Sequence, residues 1–200
     1  GAFQGCTLLE KMEIPASVTK LGNSILSNCE KLSSLVVAEG NPVFDSREDC
    51  NAVIETASNT LLISCNQTTV PSSVTAIGDY AFQSSTNLRI MDCNSEVETI
   101  GKNAFSSSKI VSLTLPNTLT SIGENAFYYS SLTELVFPEG LQRIGRSAFF
   151  HSSLESVTLP STLKEVGDDA FWASYSLKTV VLPASIERLA AWTFKIGRAH

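Results

Sequence analysis

Ile122-Gly123-Glu124-Asn125-Ala126-Phe127 decides the fold, because the chain repeats it at a nearly fixed interval. Ile77-Gly78-Asp79-Tyr80-Ala81-Phe82 and Ile100-Gly101-Lys102-Asn103-Ala104-Phe105 come before it. Ile144-Gly145-Arg146-Ser147-Ala148-Phe149 and Val166-Gly167-Asp168-Asp169-Ala170-Phe171 follow, then a degraded Leu189-Ala190-Ala191-Trp192-Thr193-Phe194. The first positions lie 23, 22, 22, 22 and 23 residues apart. Self-similarity at such a period marks a stack of small structural units and overrides the prior for an ordinary globular domain of 200 residues.

A second motif keeps a constant offset from the first. It reads Ile110, Leu113, Leu115, Pro116, then Leu132, Leu135, Phe137, Pro138, then Leu154, Val157, Leu159, Pro160, then Leu177, Val180, Leu182, Pro183. Leu9, Met12, Ile14, Pro15 and Leu32, Leu35, Val37 extend the pattern towards residue 1. The alternation in Leu113-Thr114-Leu115 predicts a short strand with one buried face. Pro116 ends it, having no N–H to give to a ladder. The IGxxAF segment is expected to turn the chain, with Gly supplying backbone freedom, Ala the tight corner and Phe the interior. One unit cannot bury its own apolar stripe, but stacked units can. The expected fold is therefore a β-rich solenoid of units of 22 to 23 residues, with short parallel strands and little helix, forming a single body over residues 1–194.

Residues 38–70 break the period. Ala52-Val53-Ile54-Glu55 and Thr60-Leu61-Leu62-Ile63 flank Ala57-Ser58-Asn59, which predicts a β-hairpin that projects from, or thickens, one side of the stack. The closing Lys195-Ile196-Gly197-Arg198-Ala199-His200 departs from the pattern and is set apart as a non-native tail, 195–200. The opening Gly1-Ala2-Phe3 shows no signal peptide and reads as a cut edge.

The combined pattern IGxxAFxxSxLxxLxLPxxLxx resembles the BspA-type leucine-rich repeats of surface proteins of host-associated anaerobic bacteria. The insert from Asn41-Pro42-Val43-Phe44 to Ile54-Glu55-Thr56 is similar to one that recurs in bacterial members. The resemblance implies a cell-surface or secreted protein whose repeats contact other proteins, such as host matrix or serum components, and it implies no catalytic residues. One departure is that the small or Cys position after AF is Ser in most units here, with Cys only at Cys6 and Cys29.

The residue chemistry points the same way. A formal charge of -6 gives no electrostatic handle for nucleic acid or an anionic membrane. Apolar runs are all interrupted well short of the roughly 18 to 20 residues of a membrane span. His151, on a corner after Phe149-Phe150, has no carboxylate and serine partners in prospect. The five cysteines show no CxxC spacing, so neither a metal nor a cofactor is expected. Cys6 and Cys29 lie one period apart and are expected to stack as buried thiols at a spacing that also suits a disulfide. Cys50 and Cys65 flank the hairpin and can face each other across it, as thiols or as a disulfide. Cys93 takes a strand position held elsewhere by Leu115 or Phe137 and is expected to fill the core. Asp45, Glu48 and Asp49 form an acidic cluster that reads as a solvated loop and not as a calcium site.

Two surfaces are candidates for protein contact. The position after AF carries Tyr128, Phe150 and Trp172 at intervals of 22 residues, with Tyr129, His151 and Tyr175 nearby. Such a row is either a sticky lateral stripe or a cover for the edge of the core. The outward strand positions Ser112, Thr114, Glu134, Val136, Ser156, Thr158, Thr179 and Val181 form the other surface. The functional expectation is a non-catalytic binding or adhesion module, the alternative a spacer or stalk with no ligand of its own.

Overall fold

A computed structural model of the chain describes residues 1–186, 189–190 and 192–195. Most of the suspected tail, residues 196–200, lies outside the described residues. The chain forms a β-solenoid whose successive units stack with the 22- to 23-residue period of the sequence. Among the described residues, helix is confined to one 3-10 turn at Arg47–Asp49.

Two sets of parallel ladders run along the stack. The first uses the LxL segments: β1 (Lys11–Ile14) pairs with β2 (Ser34–Val37), β7 (Ile90–Asp92) with β9 (Ser112–Thr114), and β12 (Ser156–Thr158) with β14 (Thr179–Val181). The equivalent segment at Thr133–Phe137 is not a strand, so this ladder is broken between β9 and β12. Phe137 fills the place of Leu115 and Leu159 there, packing edge-on against Phe149 and Phe171 at 5.4 and 6.3 Å.

The broader sheet lies where the sequence predicted only a corner. β6 (Ala76–Ile77), β8 (Thr99–Ile100), β10 (Ser121–Ile122), β11 (Arg143–Ile144) and β13 (Glu165–Val166) are two-residue strands at the entry to each IGxxAF segment. Their parallel pairing sets Ile77, Ile100, Ile122, Ile144 and Val166 in one buried column. The following glycine continues the ladder, as in Gly123 N–H donating to Ile100 O at 2.8 Å.

The role expected of the repeat glycine is corrected by this geometry. Positive φ among the glycines occurs at Gly5 and Gly40, neither of which is a repeat glycine of the main stack. What Gly145 provides is close approach: a Cβ there would stand 2.6 Å from Gly123 C and from Glu124 N on the neighbouring turn. The left-handed conformation falls instead on Asn103, Asn125, Ser147 and Asp169, and again four residues on at Ser107, Tyr129, His151 and Ala173. Asn and Asp tolerate it best, while the other side chains cost on the order of 1 kcal/mol each. The corner offsets that cost by aiming alternate amides along the stack: Asn103, Phe105 and Ser107 N–H donate to Glu124, Ala126 and Tyr128 O at 2.9, 2.7 and 2.7 Å.

Inside, Phe82, Phe105, Phe127, Phe149 and Phe171 are fully buried and stack with ring centroids 4.9–5.1 Å apart. The spacing is that of neighbouring strands, so the column repeats without strain. Each proline opens a tight turn in which Pro116, Pro138 and Pro160 O accept from Leu119, Leu141 and Leu163 N–H, returning those leucines to the core.

The predicted hairpin is present as β4 (Ala52–Glu55) and β5 (Thr60–Ser64), with β3 (Phe44–Asp45) on its outer edge. It does not project. β5 pairs in parallel with β6, so the hairpin continues the main sheet as its last three strands. β4 is buried on both faces: Val53 belongs to a core with Ile14, Leu26, Leu35 and Phe44, while Ala52 and Ile54 join the main core with Leu61 and Ile77. Cys50 lies in the main core and Cys65 in the other, and both are free thiols. Cys93 is buried, and that burial pushes its thiol up to about 12, with Asp92 adding to the effect.

Candidate interaction surface

At the position after AF, Tyr128, Phe150 and Trp172 are half-buried and lean on each other: Tyr128 stacks on Phe150 at 4.7 Å, and Phe150 meets Trp172 edge-on at 5.0 Å. Partial burial, with the Tyr129 phenol beside it, raises the pKa of the Tyr128 hydroxyl. One residue further along, at left-handed positions, the side chains of Tyr129 and His151 face outwards. Tyr129 is 47% exposed and His151 is exposed beside it, the two rings stacked at 4.3 Å. Tyr175, 62% exposed, meets His151 edge-on at 5.6 Å.

The aromatic feature is thus two-layered: a half-buried row that covers the core edge, and an outer row of Tyr129, His151 and Tyr175 held on top of it. A shallow hollow of about 430 Å3 opens beside Tyr128, lined by Asn103, Ser107, Glu124, Asn125 and Arg146.

On the strand face, Thr114, Ser156, Thr158, Thr179 and Val181 are exposed and Ser112 is half-buried. Glu134 and Val136 are exposed on the segment that forms no strand, Val136 to 85%. Ile90, 69% exposed and in register with Ser112, belongs to the same face and went unnoticed in the sequence. Its register with the outward Ser112 was the available signal. Cross-turn ion pairs link Lys102–Glu124 at 3.1 Å, Arg143–Glu165 at 3.0 Å and Lys178–Glu155 at 2.9 Å. All are solvated, so each contributes little.

Within the acidic insert, Asp45 is paired with Arg47, while Glu48 and Asp49 are exposed. Asp45 accepts from Arg47 Nε at 2.8 Å and from Thr56 Oγ1 at 2.8 Å, and Arg47 also donates to Asn59 Oδ1 and Ser73 Oγ. The hydrogen bonds from Arg47 hold the Asp45 carboxyl below the usual carboxylate range. Among the described residues, no three His, Cys, Asp or Glu side chains gather as a metal site, and no helix is long and apolar enough to cross a membrane.

Comparison with known proteins bears on this geometry. The BspA type leucine rich repeat region matches in six copies, over residues 1–48, 56–178 and 120–198. Among solved structures, the leucine-rich repeat protein of T. pallidum is 30% identical, with 76% of this chain and 74% of that one covered and a TM-score of 0.65. The pneumococcal vaccine antigen PcpA is 26% identical over 86% of this chain and 44% of its own, with a TM-score of 0.68. A leucine rich cell surface protein of Faecalibacterium prausnitzii, 22% identical, shares the fold with a TM-score of 0.71 over 90% of this chain and 48% of its own. The chain therefore spans less than half the length of the last two. Comparison with curated protein sequences gave no match. With six repeat copies spread over most of its length, the chain belongs to the BspA-type leucine-rich repeat family.

Proposed function

We propose that the chain is a non-catalytic protein-binding module of a cell-surface or secreted protein, contacting host matrix or other proteins through its lateral aromatic face. The observation that carries this is the outer row Tyr129, His151 and Tyr175, which the half-buried row beneath holds in place. Aromatic side chains already fixed by their neighbours lose little entropy on binding and supply large contact areas. The relatives support surface display: one is a vaccine antigen and another a cell surface protein by name. A spacer without a ligand is the second reading, favoured by the small hydroxyl side chains of Ser156, Thr158 and Thr179 on the strand face.

The test is binding to a panel of matrix and serum proteins, comparing wild type with a Tyr129→Ser/Tyr175→Ser variant and a Val136→Asp/Thr158→Asp variant. These side chains are exposed, so the fold is kept. Loss of affinity by about 30-fold or more in the tyrosine variant supports the aromatic face, since hot-spot residues contribute about 2 kcal/mol or more each. Loss in the second variant alone moves the site to the strand face. No saturable binding by wild type favours the spacer.

A further inference from the structure

The corner position three residues after each AF phenylalanine points inwards from Ser108 onwards. In the main stack it holds Ser108, Ser130, Ser152 and Ser174, all buried, and in the first two turns it holds Cys6 and Cys29. At one step of the column the side chains of adjacent turns meet, with Ser152 Oγ 3.0 Å from Ser174 Oγ. Cys6 and Cys29 hold the equivalent positions on the first pair of turns, which are joined by Phe3 N–H to Ile25 O and Gly5 N–H to Ser27 O, both at 2.9 Å. The Cys29 thiol reaches back over this junction, 3.2 Å from Phe3 O. Neighbouring turns about 4.8 Å apart fall within the Cα separations of roughly 4.4–6.8 Å that disulfides span.

We propose that Cys6 and Cys29 are a disulfide-forming pair that clamps the first two turns. Their exposures differ in the way a two-step oxidation requires. Cys6 is exposed and open to a bulky oxidant, whereas Cys29 is buried against it, and burial raises its thiol pKa. With a small-molecule disulfide such as glutathione disulfide as oxidant, the Cys6 thiolate attacks one sulfur and expels one glutathione thiolate, leaving a mixed disulfide. Cys29, losing its proton to solvent, then attacks Cys6 Sγ and expels the second glutathione. Two protein thiols are thereby oxidised and one glutathione disulfide is reduced to two thiols. Cys50, Cys65 and Cys93 are buried and take no part; Cys50 and Cys65 lie in different cores. The pairing does not depend on which protein the module binds.

The folded chain is incubated with glutathione disulfide, alkylated and digested with trypsin. The expected product is the peptide of residues 1–11 linked to that of residues 21–31, two hydrogens lighter than the sum. A Cys29→Ser variant, which places the column's usual residue there, should stall as a glutathione adduct on Cys6. In the linked wild type, hydrogen exchange at the Phe3 and Gly5 amides should slow roughly a hundredfold, as expected for a closed loop of this size. Wild type that accumulates the Cys6 adduct as fully as Cys29→Ser overturns the proposal, as does a link that involves Cys50, Cys65 or Cys93 instead.

Discussion

Replacing Gly145 with alanine tests the close packing of adjacent turns. Gly145 does not have a positive φ, and at such positions alanine ordinarily stabilises by about 0.4–1 kcal/mol. Here the added Cβ would lie 2.6 Å from Gly123 C and Glu124 N and 2.8 Å from Gly123 O, all backbone atoms that cannot swing aside. Restoring contact distance means parting the two turns by more than half an ångström. That strains the Gly145 N–H bond to Ile122 O, now 2.8 Å, and opens the Phe127–Phe149 stack, now 5.0 Å between centroids. Overpacking of about 2 kcal/mol with one weakened hydrogen bond of about 1 kcal/mol gives about 3 kcal/mol of destabilisation. For a chain of this size that is a fall in Tm of about 6–12 °C. Thermal and urea unfolding measure it, with a graded control built into the same motif. A Cβ at Gly78 would meet Leu61 O at 2.9 Å, and one at Gly22 meets only Ile25 Cγ2 at 3.8 Å. The expected order of cost is therefore Gly145→Ala, then Gly78→Ala, then Gly22→Ala near zero or slightly stabilising. Gly145→Ala within about 0.5 kcal/mol of wild type, or equal costs at Gly145 and Gly22, would refute the argument.

Two further outcomes follow from polar groups. Ser130 Oγ is buried without a hydrogen-bond partner, whereas Ser152 Oγ is paired with Ser174 Oγ. Ser130→Ala is expected to be neutral or to stabilise by about 1 kcal/mol and Ser152→Ala to cost about 1 kcal/mol, so urea midpoints should move in opposite directions. Because Asp45 is held below its ordinary value near 3.8 when folded, its contribution is complete above that value. It is lost as pH falls through the lower folded value. Hydrogen exchange in β3–β5 should therefore accelerate below about pH 4 in wild type, and an Asp45→Asn variant should lose that acid step; an unchanged step would assign it to other groups.

The repeat, the phenylalanine column, the proline turns and the hairpin strands were legible because each leaves a periodic or local mark on the sequence. Phe127 recurs at the spacing of its stacked partners, and Pro116 carries its own turn chemistry. Two features left no such mark. The period assigns Ile122 and Leu113 equally to the core, and only backbone pairing reveals that the wider sheet runs through Ile122. Within a corner, Tyr128 and Tyr129 are indistinguishable as letters. In the structure Tyr129, at a left-handed position, faces solvent while Tyr128 is half-buried. Cys50 and Cys65 show a related limit, since a strand buried on both faces sends flanking residues into different cores, and the alternation that would reveal it is lost in the apolar run Ala52-Val53-Ile54. The repeat glycine was assigned the wrong task for a similar reason, because clearance from a neighbouring turn is a property of the stack and not of one unit.

The double-sided burial of β4 makes the stack modular. In an uninterrupted solenoid, every turn supplies the floor for the next, so a defect in one unit exposes the interior of its neighbour. Here Ile54 and Leu61 close the phenylalanine-lined compartment from one side, while Val53 faces the compartment built around Ile14 and Leu35. The hairpin is an internal bulkhead. Apolar packing on the Leu35 side is thereby separated from that on the side carrying the aromatic face, while polar bonds at the corners, such as Ser24 Oγ to Gln83 Oε1 at 2.7 Å, still tie the two sides together.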